Sequence, residues 1–142
     1  MTLSQIRTHR ALDRPLCGEP VSVTPGAAEV ALVAMAEMAA DERGLVHGGF
    51  VFGLADHAAM LAVNEPNVVL VRAEVRFVAP VAVGDRMTAR ARVETSGAGG
   101  ARPVVEAEVM VEERAVFEGT FHCAVPSRHV LALDRGDGEE GA

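Results

Sequence analysis

From Gly49 to Val63 the chain runs fifteen residues with only two ionisable side chains, Asp56 and His57. Apolar residues fall on every side of a helix drawn through this segment. At ~1.5 Å rise per residue it spans about 22 Å, too short for a bilayer and suited to a helix buried in a soluble core. A helix that is apolar all round is expected to be covered all round. The rest of the 142 residues, enough for a single domain, must therefore wrap this one element.

The flanking segments have the other period. Val71, Ala73, Val75 and Phe77 alternate with Arg72, Glu74 and Arg76, and Met87, Ala89, Ala91 and Val93 with Thr88, Arg90, Arg92 and Glu94. Val105, Ala107, Val109 and Val111 alternate with Glu106 and Glu108, and Phe117, Phe121, Cys123 and Val125 line a last strand. A period of two marks half-buried strands. Short links separate them: Pro80 to Asp85, Ser96 to Gly100, and Glu112-Glu113-Arg114. None has room for a crossover helix, so hairpin-type antiparallel pairing is expected.

Ahead of the helix, Val21 to Thr24 and Glu29 to Met38 read as two arms of a hairpin about Pro25-Gly26. Leu3 to Leu12 reads as a short helix stopped by Pro15. The expected organisation is a helical extension over 1–20, one domain over 21–133 and a frayed acidic tail over 134–142. The fold class is α+β, an antiparallel sheet curved around one long central helix.

Thirteen Lys and Arg against twenty Asp and Glu give a net charge of −7. That balance repels phosphate backbones and anionic membrane surfaces, so neither nucleic acid nor a membrane is an expected partner. The first seven residues form no apolar signal-peptide core, and a cytoplasmic location is expected. Cys17 and Cys123 are then reduced thiols, with no CxxC or His cluster to suggest zinc.

Asp56 is the residue to explain. A carboxylate inside a buried helix costs several kcal/mol unless it is paired or neutralised. Either it meets solvent or caps a neighbouring backbone, or it is a poorly solvated acid of raised pKa, suited to act as general base or nucleophile. The turn His47-Gly48-Gly49 bears on that choice. Glycines at a helix N-terminus leave backbone N–H groups open to approach, in the field of the helix dipole. Such a site stabilises the oxyanion of acyl transfer. Seven residues separate Gly49 from Asp56, two helical turns, so both share a face roughly 10 Å apart. A carbonyl on the Gly48 amide is thus beyond its own chain's Asp56. Two helices antiparallel across a two-fold axis would bring each Asp56 to the partner's turn, so the site requires a dimer.

The run His47-Gly48-Gly49-Phe50-Val51-Phe52-Gly53-Leu54-Ala55-Asp56 matches the HGG-x5-A-D pattern of hotdog-fold acyl-CoA thioesterases of the PaaI-like, phenylacetate-degradation group. Val75 to Asp85 is similar to the family's strand that ends in Pro and leads to a Gly-Asp turn. The resemblance in element order covers roughly Val21 to Val125. It implies a hotdog thioesterase that cleaves an acyl-CoA or similar thioester. Asp56 would activate water or attack the carbonyl, the Gly48 amide would hold the oxyanion, and His47 would position the turn or the thioester. Gly49, Phe50 and Asp41 would contact substrate. No metal or redox cofactor is implied, coenzyme A being part of the substrate, and a homodimer or homotetramer is usual in that group.

Two positions depart from the pattern. Asp41 stands where family members often carry Asn, and Leu70 stands where some use Ser or Thr to orient the water. Thr88, Asn64 and His57 are candidate substitutes, although His57 points about 100° away from Asp56 and reads as a packed histidine. Arg72, Arg76, Arg86, Arg90 and Arg92 fall on outward strand faces, some of them open to the phosphates of coenzyme A. Two other readings use the same fold. A hydratase or dehydratase would take His47 as base, but typically has Phe-Pro after that His. A non-catalytic acyl-CoA binder resembling the malonyl-CoA-sensing repressors would need a DNA-binding module ahead of Val21, for which about twenty residues leave no room, and it has no use for a buried carboxylate.

Overall fold

The computed structural model describes residues 3–95 and 101–134. In chain order the elements are α1 (Arg14–Cys17), β1 (Glu19–Thr24), β2 (Ala27–Val33), a 3-10 turn (Ala36–Met38), α2 (Gly48–Val63), β3 (Val69–Phe77), β4 (Arg86–Thr95), β5 (Val104–Val111), β6 (Arg114–Ala124) and α3 (Val130–Asp134). The strands form one antiparallel six-stranded sheet in the order β1-β2-β4-β5-β6-β3. The long apolar helix α2 lies against β2, β4 and β5 at its centre. This is the hotdog arrangement.

The alternation of period two does what it promises. Met87, Ala89, Ala91, Val105, Ala107, Val109, Phe117 and Phe121 are buried under the helix, while Arg90, Arg92, Glu106, Glu108 and Glu118 stand on the outer face. There Glu29, Arg90, Glu108, Glu118 and Arg76 fall in register across five strands. Arg76 bonds Glu118 at 2.7 Å and Arg90 approaches Glu29 at 3.6 Å. These exposed pairs contribute little to stability.

Four expectations change. First, β3 and β4 do not form a hairpin: β3 pairs with β6 at one edge, while β4 lies between β2 and β5. The link between them crosses the sheet end beside the loop that precedes α2, held by Val46 N–H to Val81 O at 2.8 Å and Val83 N–H to Gly44 O at 2.8 Å. Periodicity reports which way a side chain points, not which strand lies alongside.

Second, α2 is not covered all round within one chain. Leu54, Ala55, Ala58, Ala59, Met60 and Leu61 are fully buried, but Gly49 is exposed and Phe52, Gly53 and Asp56 are half-buried. These four lie on one stripe. The sequence conceals it because, Asp56 aside, the stripe is as apolar as the buried faces.

Third, Leu3 to Leu12 is not helical. The segment is an irregular strap: Ser4 N–H bonds Val23 O at 2.7 Å, Arg7 N–H bonds Asn64 Oδ1 at 2.8 Å, and Asn64 Nδ2 donates to Gln5 O at 2.9 Å. Isolated helices this short are marginal, and the tertiary hydrogen bonds win. Pro15 opens the single turn α1 instead of ending a helix, and β1 begins at Glu19, inside the expected extension.

Fourth, the second hairpin arm ends at Val33, with a 3-10 turn in place of its last residues. Asp134, expected to begin the tail, closes α3; the remaining tail and the expected loop Ser96 to Gly100 lie outside the described residues.

The two sheet edges differ. Leu3 bridges Val23 and covers part of β1. Along the outer side of β3 no strand pairs among the described residues, and Val71 and Phe77, expected to face the core, are 57% and 55% exposed.

Candidate functional site

The loop before α2 is held from within. Asp41 Oδ1 accepts the N–H groups of Arg43 at 2.9 Å and Leu45 at 3.2 Å, and Gly44 takes the left-handed conformation (φ 84°) that closes the turn. A carboxylate serves this turn as well as an amide, since only an acceptor oxygen is used. Asp41 is exposed, and its structural role lies in the loop. His47 N–H bonds Met38 O at 2.9 Å and sets the entry to the helix.

His47 is the N-cap of α2, extended in backbone (φ −64°, ψ 130°), and its side chain makes no capping bond. Its imidazole lies across Gly49, where an added Cβ would stand 3.1 Å from the ring. The Phe77 ring covers Gly48 in the same way, 3.1 Å from a Cβ there. Phe50 is half-buried and meets His47 edge-on, with ring centroids 6.2 Å apart. As first-turn groups, the Gly48 and Gly49 amides have no helical acceptor, and no backbone bond from either occurs among the described residues.

Asp56 lies two turns along the same stripe. Its Oδ1 is buried and has no hydrogen-bond partner among the described residues. Burial pushes its carboxyl up to about 6. The sulfur of Cys123 lies in the same compartment: burial, and then the charge of Asp56, push the thiol up to about 11. Both cysteines are free thiols. Sequence reasoning places Cys123 on the inner face of its strand but misses its proximity to Asp56, because only the sheet order brings β6 to that side of α2.

The candidate substitutes for the strand Ser or Thr are occupied or misplaced. Asn64 clamps the N-terminal strap. His57 is buried, its Nδ1 3.0 Å from Cys17 O, and burial lowers its pKa. Thr88 alternates with buried Met87 and Ala89 and faces away from the helix. Leu70 pairs with Cys123 across β3 and β6 and brings an alkyl chain, not a hydroxyl, beside the thiol's strand position.

Two cavities bear on the site. One of about 310 Å³ opens beside Gly48, between the start of α2, the end of β3 and the crossing link. It too escaped the sequence reading, since its walls come from three separate segments. The larger concavity, about 720 Å³, is lined by Glu29, Arg76, Arg90 and Glu118 and belongs to the outer face of the sheet, across it from α2.

With an amide-bearing glycine turn, a buried acid two turns on and a single helix in a curved sheet all in place, comparison with known proteins decides the family. The model of the thioesterase superfamily matches residues 43–118, from the loop before α2 to the middle of β6. The chain belongs to the thioesterase superfamily.

Similar solved structures cover most of its length. The crystal structure of an uncharacterized Pyrococcus horikoshii protein, PH1136, is 51% identical and superposes with a TM-score of 0.88 over 92% of this chain and 99% of that one. The Escherichia coli PaaI protein of the phenylacetic acid degradation operon is 26% identical, with a TM-score of 0.67 over 75% of this chain and 81% of its own. The chain is also 51% identical over 116 residues to methylthioribose-1-phosphate isomerase of Aquifex aeolicus, which covers 82% of this chain. It is 34% identical over 77 residues to the transcription factor FapR of Bacillus cereus. It spans only 25% and 39% of the lengths of those two proteins. Thioester hydrolysis is the general activity that membership supports. Among the described residues no helix is long and apolar enough to cross a membrane.

Proposed function

We propose that this thioesterase-superfamily chain hydrolyses an acyl-CoA or similar acyl thioester, at sites each shared between two copies. The observation that carries the reading is the buried, unpartnered Oδ1 of Asp56, on the same helix stripe as the Gly48-Gly49 amides and about 10 Å from them. A structural acid would have found a donor. An acid with a free lone pair and a pKa near 6 is suited to take a proton from water at neutral pH.

In this reading the thioester carbonyl rests on the Gly48 amide, with the helix dipole behind it. Asp56 of the partner copy either removes a proton from the attacking water or adds to the carbonyl carbon itself. In the first route the water oxygen adds to the carbonyl carbon and the carbon–sulfur bond breaks. The proton taken by Asp56 passes to the sulfur, giving the free acid and the thiol of coenzyme A. In the second the carbon–sulfur bond breaks as the acyl group forms a mixed anhydride with Asp56. A water then hydrolyses the anhydride, restoring the carboxylate, releasing the free acid and supplying the proton to the thiolate. His47, folded over Gly49, holds the turn. Phe50 and Asp41 support the loop that faces the substrate.

Two features favour the second copy. The stripe Gly49, Phe52, Gly53 and Asp56 is left partly uncovered, and the open β3 edge carries exposed Val71 and Phe77. An unpaired strand edge is a template for another strand. A homodimer joined along β3 is the minimal active unit, and two such dimers would make a homotetramer.

A match to a protein named as a transcription factor, not as an enzyme, favours a second reading in which this chain binds an acyl-CoA without hydrolysing it. The discriminating experiment is release of free thiol from a panel of acyl-CoAs by the wild-type protein and by Asp56→Asn. Hydrolysis by the wild type and a loss of at least ~10²-fold in the variant, with the oligomer unchanged, are expected. Binding without thiol release favours the non-catalytic reading, and equal rates in the two proteins reject Asp56.

A further inference from the structure

The cavity beside Gly48 is walled by side chains that carry neither charge nor hydrogen-bonding group. Val46, Val51, Val81 and Val116 form its buried floor. Phe77 and Val78, 55% and 45% exposed, form its mouth, and the Phe77 ring sits on Gly48 at the rim. Three main-chain donors in these walls are used: Val78 and Ala79 N–H bond Val116 O, at 2.8 and 3.3 Å, and Val46 N–H bonds Val81 O at 2.8 Å, while the open Gly48 amide lies at the rim.

We infer that this cavity holds the acyl group and selects an unsubstituted hydrocarbon chain or ring over acyl groups that bear a carboxylate or hydroxyl. The inference rests on the thioesterase reading above for the position of the carbonyl, and on the cavity for the selectivity. A carbonyl on the Gly48 amide starts its carbon tail at the rim, next to the buried valine floor. Each methylene buried in such a floor favours binding about fourfold, the equivalent of ~0.8 kcal/mol. A carboxylate in the floor would lose its hydration against side chains that present no cation and no hydrogen-bonding group. At about 310 Å³ the cavity is at the small end of ligand pockets, so the gain must stop once the floor is reached. Val116, at the bottom, sets that limit.

S-Alkyl-CoA thioethers of rising chain length test this without hydrolysis, because they have no carbonyl. Calorimetry on the assembled protein should give affinities that climb about fourfold per methylene and then break. Matched carboxyalkyl thioethers should bind no better than coenzyme A itself. Val116→Phe should move the break to shorter chains and Val116→Ala to longer ones; the second variant keeps the test open if the first does not fold. A flat series, carboxyalkyl probes that bind as tightly as alkyl ones, or a break unmoved in a folded Val116 variant would overturn the inference. A graded series in a protein that releases no thiol would support the pocket and sink the hydrolytic reading. Thiol release with a flat series would do the reverse.

Discussion

Asp56 on α2 and Cys123 on β6 share one buried compartment, and the charge of the acid helps to keep the proton on the thiol. Burial alone raises the carboxyl to about 6; burial and then Asp56 raise the thiol to about 11. At neutral pH the pair is therefore a carboxylate beside a neutral SH. The thiol is a poor nucleophile in that state, which leaves the acid as the reactive partner.

The rate should follow the ionisation of that acid. Plotted as kcat/KM for thiol release, activity is expected to climb about tenfold per pH unit in acid and to level off above about pH 6. In Asp56→Asn the residual rate should lose this step. A wild-type profile flat from about pH 4.5 to 7 would remove Asp56 from the role of base.

Stability should carry the opposite signature. The folded state holds the Asp56 proton more tightly than the unfolded chain, whose ordinary value is 3.8. Wild-type stability from this group therefore falls as pH rises from about 4 to about 6, and the cost, ~3 kcal/mol, is fully present above that window. Asp56→Asn lacks it. Urea melts should show the variant gaining on the wild type by roughly that amount between about pH 4 and pH 7.5, and a gap that is constant or shrinks would contradict the burial of the charge.

Shared sites predict complementation. Gly48→Pro removes the N–H at the first helical position, where Pro is well accepted, and the extended backbone of His47 suits a following Pro. Gly48→Pro and Asp56→Asn should each be inactive as homodimers. Refolded together in equal amounts, they should recover roughly a quarter of wild-type activity, since half the dimers are mixed and each has one intact site. No recovery, with mixed dimers verified by mass, would place the acid and amide in the same chain.

The open edge predicts how assembly fails. Val71→Lys puts a charge on an exposed position of β3 and should yield monomers by sedimentation, with thiol release falling in step. Dimers that persist with full activity would move the interface elsewhere.

Much of the fold is legible from period alone. The alternations at Val71 to Phe77, Met87 to Val93 and Val105 to Val111 correctly announce strands, because half-buried strands must alternate. The all-apolar run announces α2, and His47-Gly48-Gly49 with Asp56 on the same helix announces the candidate chemistry. The Leu3 to Leu12 helix misled because local propensity competes weakly with hydrogen bonds to Val23 and Asn64.

By itself, the order of residues determined which side chains of β4, β5 and β6 turn inward, where the central helix runs, and that an acid lies two turns from a glycine-rich N-terminus. Tertiary structure alone decided that β3 leaves β4 to pair with β6, that Cys123 comes to lie near the acid, that one stripe of α2 stays partly uncovered, and that three segments close a cavity beside Gly48. The division has a physical cause. Helix and strand periods are set by a residue's near neighbours in sequence, whereas burial, proton affinity and cavity shape depend on which distant segments pack against it.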